Sequence, residues 1–164
     1  MASESTEAQL KRAGAVGKIP SGLFIIVARD SGRVDGFLGS FVQQVSMEPL
    51  RLSLAVKPGR PAYEMIQSGQ LFTVNVVGDH DSSYLKHFWR GYDPEQSPFD
   101  ELAHHDGPEG GLVLDAALAA MECRLHESFK PGDHDLVIAD VITSTILQSE
   151  AKPLFHTRKH GLAY

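Results

Sequence analysis

Strand-length apolar runs cut by turn residues constrain this chain more than anything else in it. Leu23 to Ala28, Leu50 to Val56, Leu71 to Val77 and Leu136 to Thr143 are rich in β-branched and other large apolar residues. Gly, Pro, Asp or Ser stands close to the ends of each, and none is long enough for a packed helix of ordinary length. In Leu50 to Val56 the large apolar residues alternate with Arg51, Ser53 and Ala55, the period-2 pattern of a strand with one buried face. Several such runs with few helical patterns predict a β-barrel or sandwich with helical additions.

Between the runs, the sequence predicts a short helix capped by Ser5 or Thr6, extending to about Val16 and stopped by Gly17. Arg29 to Arg33 is a turn, with a return strand over Val34 to Val42. Pro61 to Ser68 reads as a short helix opened by proline and closed by Gly69, and Ser83 to Arg90 as a second one capped by Ser82. Tyr92 to Gly111 shows no period and reads as a long surface loop. Helix propensity favours a helix over Ala116 to Leu125, in conflict with an all-β context. A last short strand is expected near Leu154 to His156. The chain thus divides into a tail and helix over 1–16 and one domain over 17–164.

Composition narrows the function. A net charge of −6 opposes a polyanionic nucleic acid, so any anion has to be held locally. One cysteine, Cys123, permits no internal disulfide and no thiolate metal cluster, and fits a cytoplasmic protein. No apolar run approaches the roughly 20 residues of a membrane helix, and the N-terminal residues lack the apolar core of a signal peptide.

The most informative constellation is the passage from strand to helix at Lys57, Gly59 and Arg60. Two cations beside the amides of a helix start make a candidate phosphate site on an acidic protein; a solvated turn is the competing reading. GxxxxGK[ST] and strand-linked GxGxxG motifs are both absent. The histidines His80, His104, His105, His134, His156 and His160 lack metal-ligand spacing, so no metal is expected. No GxSxG elbow is present, and Cys123 lies in an apolar segment where packing is its expected role. Phe88 and Trp89 could stack on a ring but more often such residues serve the core or an interface.

Beside these readings stands a resemblance. Gly17 to Leu23, Gly39 to Pro49, Leu52 to Arg60, Phe72 to Val77, Leu114 to Cys123 and Gly132-Asp133-His134 resemble, in order and spacing, the flavin reductase-like family of FMN-binding split β-barrels. The ending His156 to Tyr164 is similar to the C-terminal flavin reductase module of flavodiiron proteins. The resemblance implies a mostly β, six-stranded Greek-key-type antiparallel barrel, with Ala116 to Leu125 in a strand, and a homodimer binding FMN or FAD near its interface. It implies flavin contacts from Ser40, Phe41, Val42, Gln43, Gln44 and Ser46, a phosphate site at Lys57, Gly59 and Arg60, and Phe88 near the flavin. Ser21, His134, Arg158 and Tyr164 fall on the nicotinamide side. The expected activity is an NAD(P)H:flavin oxidoreductase, with NADH or NADPH as substrate and a monooxygenase or another acceptor downstream. The alternative is a non-enzymatic FMN-binding electron-transfer module fed by a protein partner.

Overall fold

The computed structural model describes residues 6–89, 91 and 97–162. The chain opens with α1 (Thr6–Val16), whose last turn closes as the Gly17 amide donates to the Ala13 carbonyl at 2.9 Å. After β1 (Ser21–Gly22), the first apolar run and its return become the hairpin β2 (Phe24–Asp30) and β3 (Arg33–Gly39). Ser31 and Gly32 turn it with φ of 48° and 84°, the left-handed pair that suits a twisted two-residue hairpin.

The return strand ends at Gly39 rather than Val42. The chain turns at Ser40 and Phe41 into a separate strand, β4 (Val42–Ser46), which pairs with β5 (Arg51–Val56). Next come α2 (Pro61–Gln67), β6 (Phe72–Val76) and the hairpin β7 (His104–Asp106) with β8 (Leu112–Leu114). The long strands β9 (Ala119–Phe129) and β10 (Asp135–Ile146) follow, and β11 (Phe155–His156) closes the succession by pairing with β1.

One antiparallel sheet runs β3-β2-β6-β9-β10-β5-β4. It has seven strands, where the resemblance implies six, and its two end strands, β3 and β4, are consecutive in the chain. The short passage over Ser40 and Phe41 carries the chain from one end of the sheet order to the other. Of residues 116–125, where helix propensity and resemblance disagree, 116–118 form a turn and 119–125 enter β9 between β6 and β10, where hydrogen bonds on both edges and burial of Ala120 and Cys123 outweigh local preference.

Two other expectations are corrected. The stretch from Ser83 forms a single 3-10 helix, Ser83–His87, and its first amide is received by Asp81 Oδ1 at 2.9 Å rather than by Ser82. The expected loop over 92–111 contains a 3-10 turn at Pro98–Asp100 and strand β7. Residues 90 and 92–96 lie outside the described residues.

The main core lies between the sheet and α2, with Phe72, Leu54, Ile66 and Val137 fully buried. A second cluster joins Ile25 and Val27 to Tyr84, Phe88, Phe99 and Leu112 beneath the 3-10 segments. Among the described residues no helix is long and apolar enough to cross a membrane.

Candidate functional site

Where β3 passes into β4, the end of β5 and the start of β10 come together around a cavity of about 570 Å³. That volume is in the range of small-molecule sites. Ser40 from the β3–β4 passage, Lys57 and Arg60 from the loop after β5, Phe88 and Trp89 after the 3-10 helix, and His134 before β10 all face it.

The loop after β5 brings both cations to the cavity by a backbone device. Gly59 has φ +87°, a conformation that strains a residue bearing Cβ, and it turns the chain between exposed Lys57 and Arg60. The Arg60 guanidinium lies 5.2 Å from the Phe37 ring centroid, which braces it at the wall. The helix start contributes less than the sequence suggests. Pro61 has no N–H, and the Ala62 amide donates to Asp35 Oδ2 at 2.8 Å, so the anion-receiving capacity here rests on the two side chains.

Ser40 is 3% exposed, and its Oγ has no hydrogen-bond partner. Thr73 Oγ1 and Tyr84 OH share that condition, but neither faces the cavity. A buried polar atom without a partner costs on the order of 1–3 kcal/mol, so the Oγ of a serine that lines a cavity is a candidate partner for a polar ligand atom. On the far wall His134 packs its ring edge-on to Phe41, with centroids 5.9 Å apart. Arg158 lies 4.7 Å from the centroid of the same Phe41 ring. Asp133 Oδ1 is 3.2 Å from His134 Nδ1, and that hydrogen bond, reinforced by the charges of His134 and Lys57, holds the Asp133 carboxyl below its usual range.

Of the residues expected in the site, the structure therefore gathers Ser40, Lys57, Arg60, Phe88 and His134 around one cavity, with Phe41 in contact with His134 and Arg158, and Gly59 within the loop. Val42, Gln43, Gln44 and Ser46 run along β4 and do not line this cavity. Val42 packs against the main core, Gln43 and Gln44 are exposed, and Gln44 Nε2 donates to the Ser46 carbonyl at 3.2 Å. Ser21 pairs with His156 in the β1–β11 ladder, and Tyr164 lies outside the described residues.

Sequence reasoning weighed Trp89 as a stacking residue but favoured packing, and considered His156 only as a metal ligand; both line the cavity. Trp89 is 55% exposed, lines the cavity and meets the His156 ring edge-on at 5.9 Å. An aromatic two residues before Gly91 was the available signal. Phe88 serves two roles, since it is buried against Phe99, with centroids 5.7 Å apart, and also faces the cavity. Cys123 is fully buried, and burial pushes its thiol up to about 12, in keeping with packing.

Residues 16–161 match the model of the flavin reductase like domain, and the chain belongs to that family. Diflavin flavoprotein A 1 of Synechocystis sp. (strain ATCC 27184 / PCC 6803 / Kazusa) is 31% identical over 152 residues, which is 92% of this chain and 26% of that protein. The chain thus spans about a quarter of the length of the curated relatives it matches. Among solved structures, the NADH:FAD oxidoreductase SgcE6 of Streptomyces globisporus C-1027 superposes with a TM-score of 0.81 at 22% identity, covering 96% of this chain and 92% of that one. The styrene monooxygenase flavin reductase from Pseudomonas putida S12 gives 0.74 at 25% identity, covering 88% and 90%.

Proposed function

We propose that residues 17–164 form an NAD(P)H:flavin oxidoreductase domain that works on FMN, with FAD as a second candidate. The observation that carries this reading is one cavity lined by two cations, Lys57 and Arg60, by Ser40, whose Oγ has no partner, and by the aromatic residues Phe88 and Trp89. Those features fit a ligand with a phosphate, a polar chain and a flat ring system.

When bound, the flavin supplies the acceptor for a hydride from the nicotinamide. The chain's own task is placement. Lys57 and Arg60 hold the phosphate, and Arg60 is kept from swinging into solvent by its contact with Phe37. Ser40 Oγ offers a hydrogen bond from a dry position, where it counts for more than it would in water. Phe41, in contact with both Arg158 and His134, steadies the His134 ring that lines the cavity. No side chain has to donate or remove a proton in hydride transfer, which agrees with a wall rich in aromatics and cations.

The same reading makes the protein a cytoplasmic homodimer in which β4, with Gln43, Gln44 and Ser46, meets a flavin shared with the second copy. A monooxygenase or another acceptor would take the electrons. The test is an NADH and NADPH oxidation assay with added FMN, FAD or riboflavin, alongside the absorption spectrum of the untreated protein. Flavin-dependent oxidation is expected. Flavin binding without oxidation of either dinucleotide would replace this reading by that of an electron-transfer module.

A further inference from the structure

At the anion end of the cavity, Arg60 has two tasks. It lines the cavity, and it is the residue from which α2 starts. Its backbone is still extended, at φ −92° and ψ 132°, while its carbonyl already accepts the first helical hydrogen bond, from the Glu64 amide at 3.1 Å. A helix start leaves amides in want of acceptors, and a Ser, Thr, Asp or Asn at this position ordinarily supplies one from its own side chain. Arginine cannot, because its guanidinium only donates. Pro61 removes one amide outright, and the next, that of fully buried Ala62, donates to Asp35 Oδ2 at 2.8 Å. The helix thus takes its cap from β3, 27 residues away in the chain.

The same strand holds the tip of the arginine. Asp35 and Phe37 stand two residues apart on β3, hence on one face of it, and the Arg60 guanidinium lies 5.2 Å from the Phe37 ring centroid. Only Pro61 separates Arg60 from Ala62, and its ring fixes φ, so little slack remains between the captured amide and the arginine. A carboxylate and a ring on one face of β3 therefore hold Arg60 near its backbone and at its charged end. Lys57 stands on the other side of Gly59, outside this bracket.

We propose that Asp35 is a positioning residue for the phosphate site: by capping α2 from β3 it keeps Arg60 at the cavity, and so gives the domain much of its preference for a phosphorylated flavin over riboflavin. The inference rests on the flavin reductase reading and deepens it, through a residue that does not itself line the cavity. Its sign sets it apart from simple electrostatics. A carboxylate near the site opposes a phosphate by its charge, so on charge alone Asp35→Ala tightens FMN binding. Loss of the cap does the reverse: the buried Ala62 amide loses its acceptor, the first turn of α2 loosens, and Arg60 leaves its place.

The experiment titrates FMN and riboflavin, by flavin fluorescence, against the full chain and its variants. The native protein is expected to bind FMN more tightly than riboflavin. Asp35→Ala should lower FMN affinity about tenfold and leave riboflavin affinity unchanged, whereas Asp35→Asn, which keeps an oxygen for the Ala62 amide, should stay within about twofold of the native protein. In an Arg60→Ala background Asp35→Ala should cost FMN nothing further, while in a Lys57→Ala background the loss should persist. A merely structural role would lower both affinities and would do so with Arg60 absent. Asp35→Glu keeps the charge and displaces the acceptor; it is expected to show the same FMN-selective loss in smaller measure, so the test does not hang on the folding of the alanine variant. Tighter or unchanged FMN binding on loss of the acceptor, an equal loss for riboflavin, no recovery in Asp35→Asn, or a loss that survives Arg60→Ala overturns the inference. Only binding is read, so a protein that holds FMN yet oxidises neither dinucleotide refutes the reductase reading without touching this one, and a native protein that binds neither flavin refutes both.

Discussion

Two regions of the molecule hold polar side chains in surroundings that repel them, and they treat those side chains in opposite ways. Beneath the β7–β8 hairpin, Glu122 is 2% exposed and accepts from the Gly111 amide at 2.5 Å and the Glu109 amide at 3.2 Å. Beside it, fully buried Asn75 accepts from the Leu114 amide at 2.9 Å and donates to the Ile25 carbonyl at 3.3 Å. At the cavity, Ser40 is almost as buried but its Oγ bonds to nothing, and Lys57 and Arg60 line the cavity as exposed cations, Arg60 against the Phe37 ring. A polar group satisfied by the chain's own backbone belongs to the fold, whereas one left over at a cavity belongs to a ligand. Thr73 Oγ1, unpartnered next to Glu122, shows that an orphaned atom alone is insufficient; the cavity is the second requirement.

The comparison breaks if both regions answer mutation in the same way. The largest effect is expected for Glu122→Ala, which leaves two amides without an acceptor and should lower stability by about 3 to 5 kcal/mol in urea unfolding. Glu122→Gln, which keeps an acceptor, should recover at least half of that loss. Next, Lys57→Ala with Arg60→Ala should weaken FMN binding about a hundredfold in a fluorescence titration while shifting the unfolding midpoint little. Loss of stability in that pair without loss of flavin would reverse the assignment of the two regions.

A smaller effect is expected at Ser40. Replacement by alanine removes an unsatisfied hydroxyl, so stability should hold or rise slightly, while flavin affinity falls severalfold. Smallest is a half-exposed pair that belongs to neither region. Arg51 Nε donates to Asp140 Oδ1 at 2.6 Å, and chiefly that hydrogen bond, with the charges of Arg51 and His126, holds the Asp140 carboxyl below its usual range. A depressed carboxylate stabilises the fold above its unfolded pKa, and the contribution fades as pH falls through the folded one. Asp140 is about a third exposed, so the loss in acid should be well below about 1 kcal/mol, and Asp140→Asn should remove it. Unfolding at pH 7 and pH 3 measures the difference.

Much of this architecture was legible in the residues. The apolar runs at Leu50 to Val56 and Leu71 to Val77 became strands within a residue or so of their sequence limits, because their neighbours are proline, glycine and charge. The Lys57 to Arg60 loop was legible because it combines a strand end, a glycine and two cations. Less visible was the fate of residues 116–125, where alanines favour a helix and only the free edges of β6 and β10 decide for strand. Trp89 was read as a packing residue because a tryptophan in sequence looks the same whether it is covered or lines a cavity. The use of the Ala62 amide by Asp35, 27 residues away in the chain, could not be seen at all.

The sequence by itself determined the class of fold, the strand-forming runs and the placing of two cations after the fifth strand, because these follow from local periodicity and turn chemistry. Tertiary structure alone decided which polar atoms find partners and which do not. It brought Ser40 to one cavity with Lys57 and Arg60, gave Glu122 its amides, and joined the end of α1 to residues 158–161. Hydrogen-bond satisfaction depends on distances between residues far apart in the chain, and no local pattern encodes it.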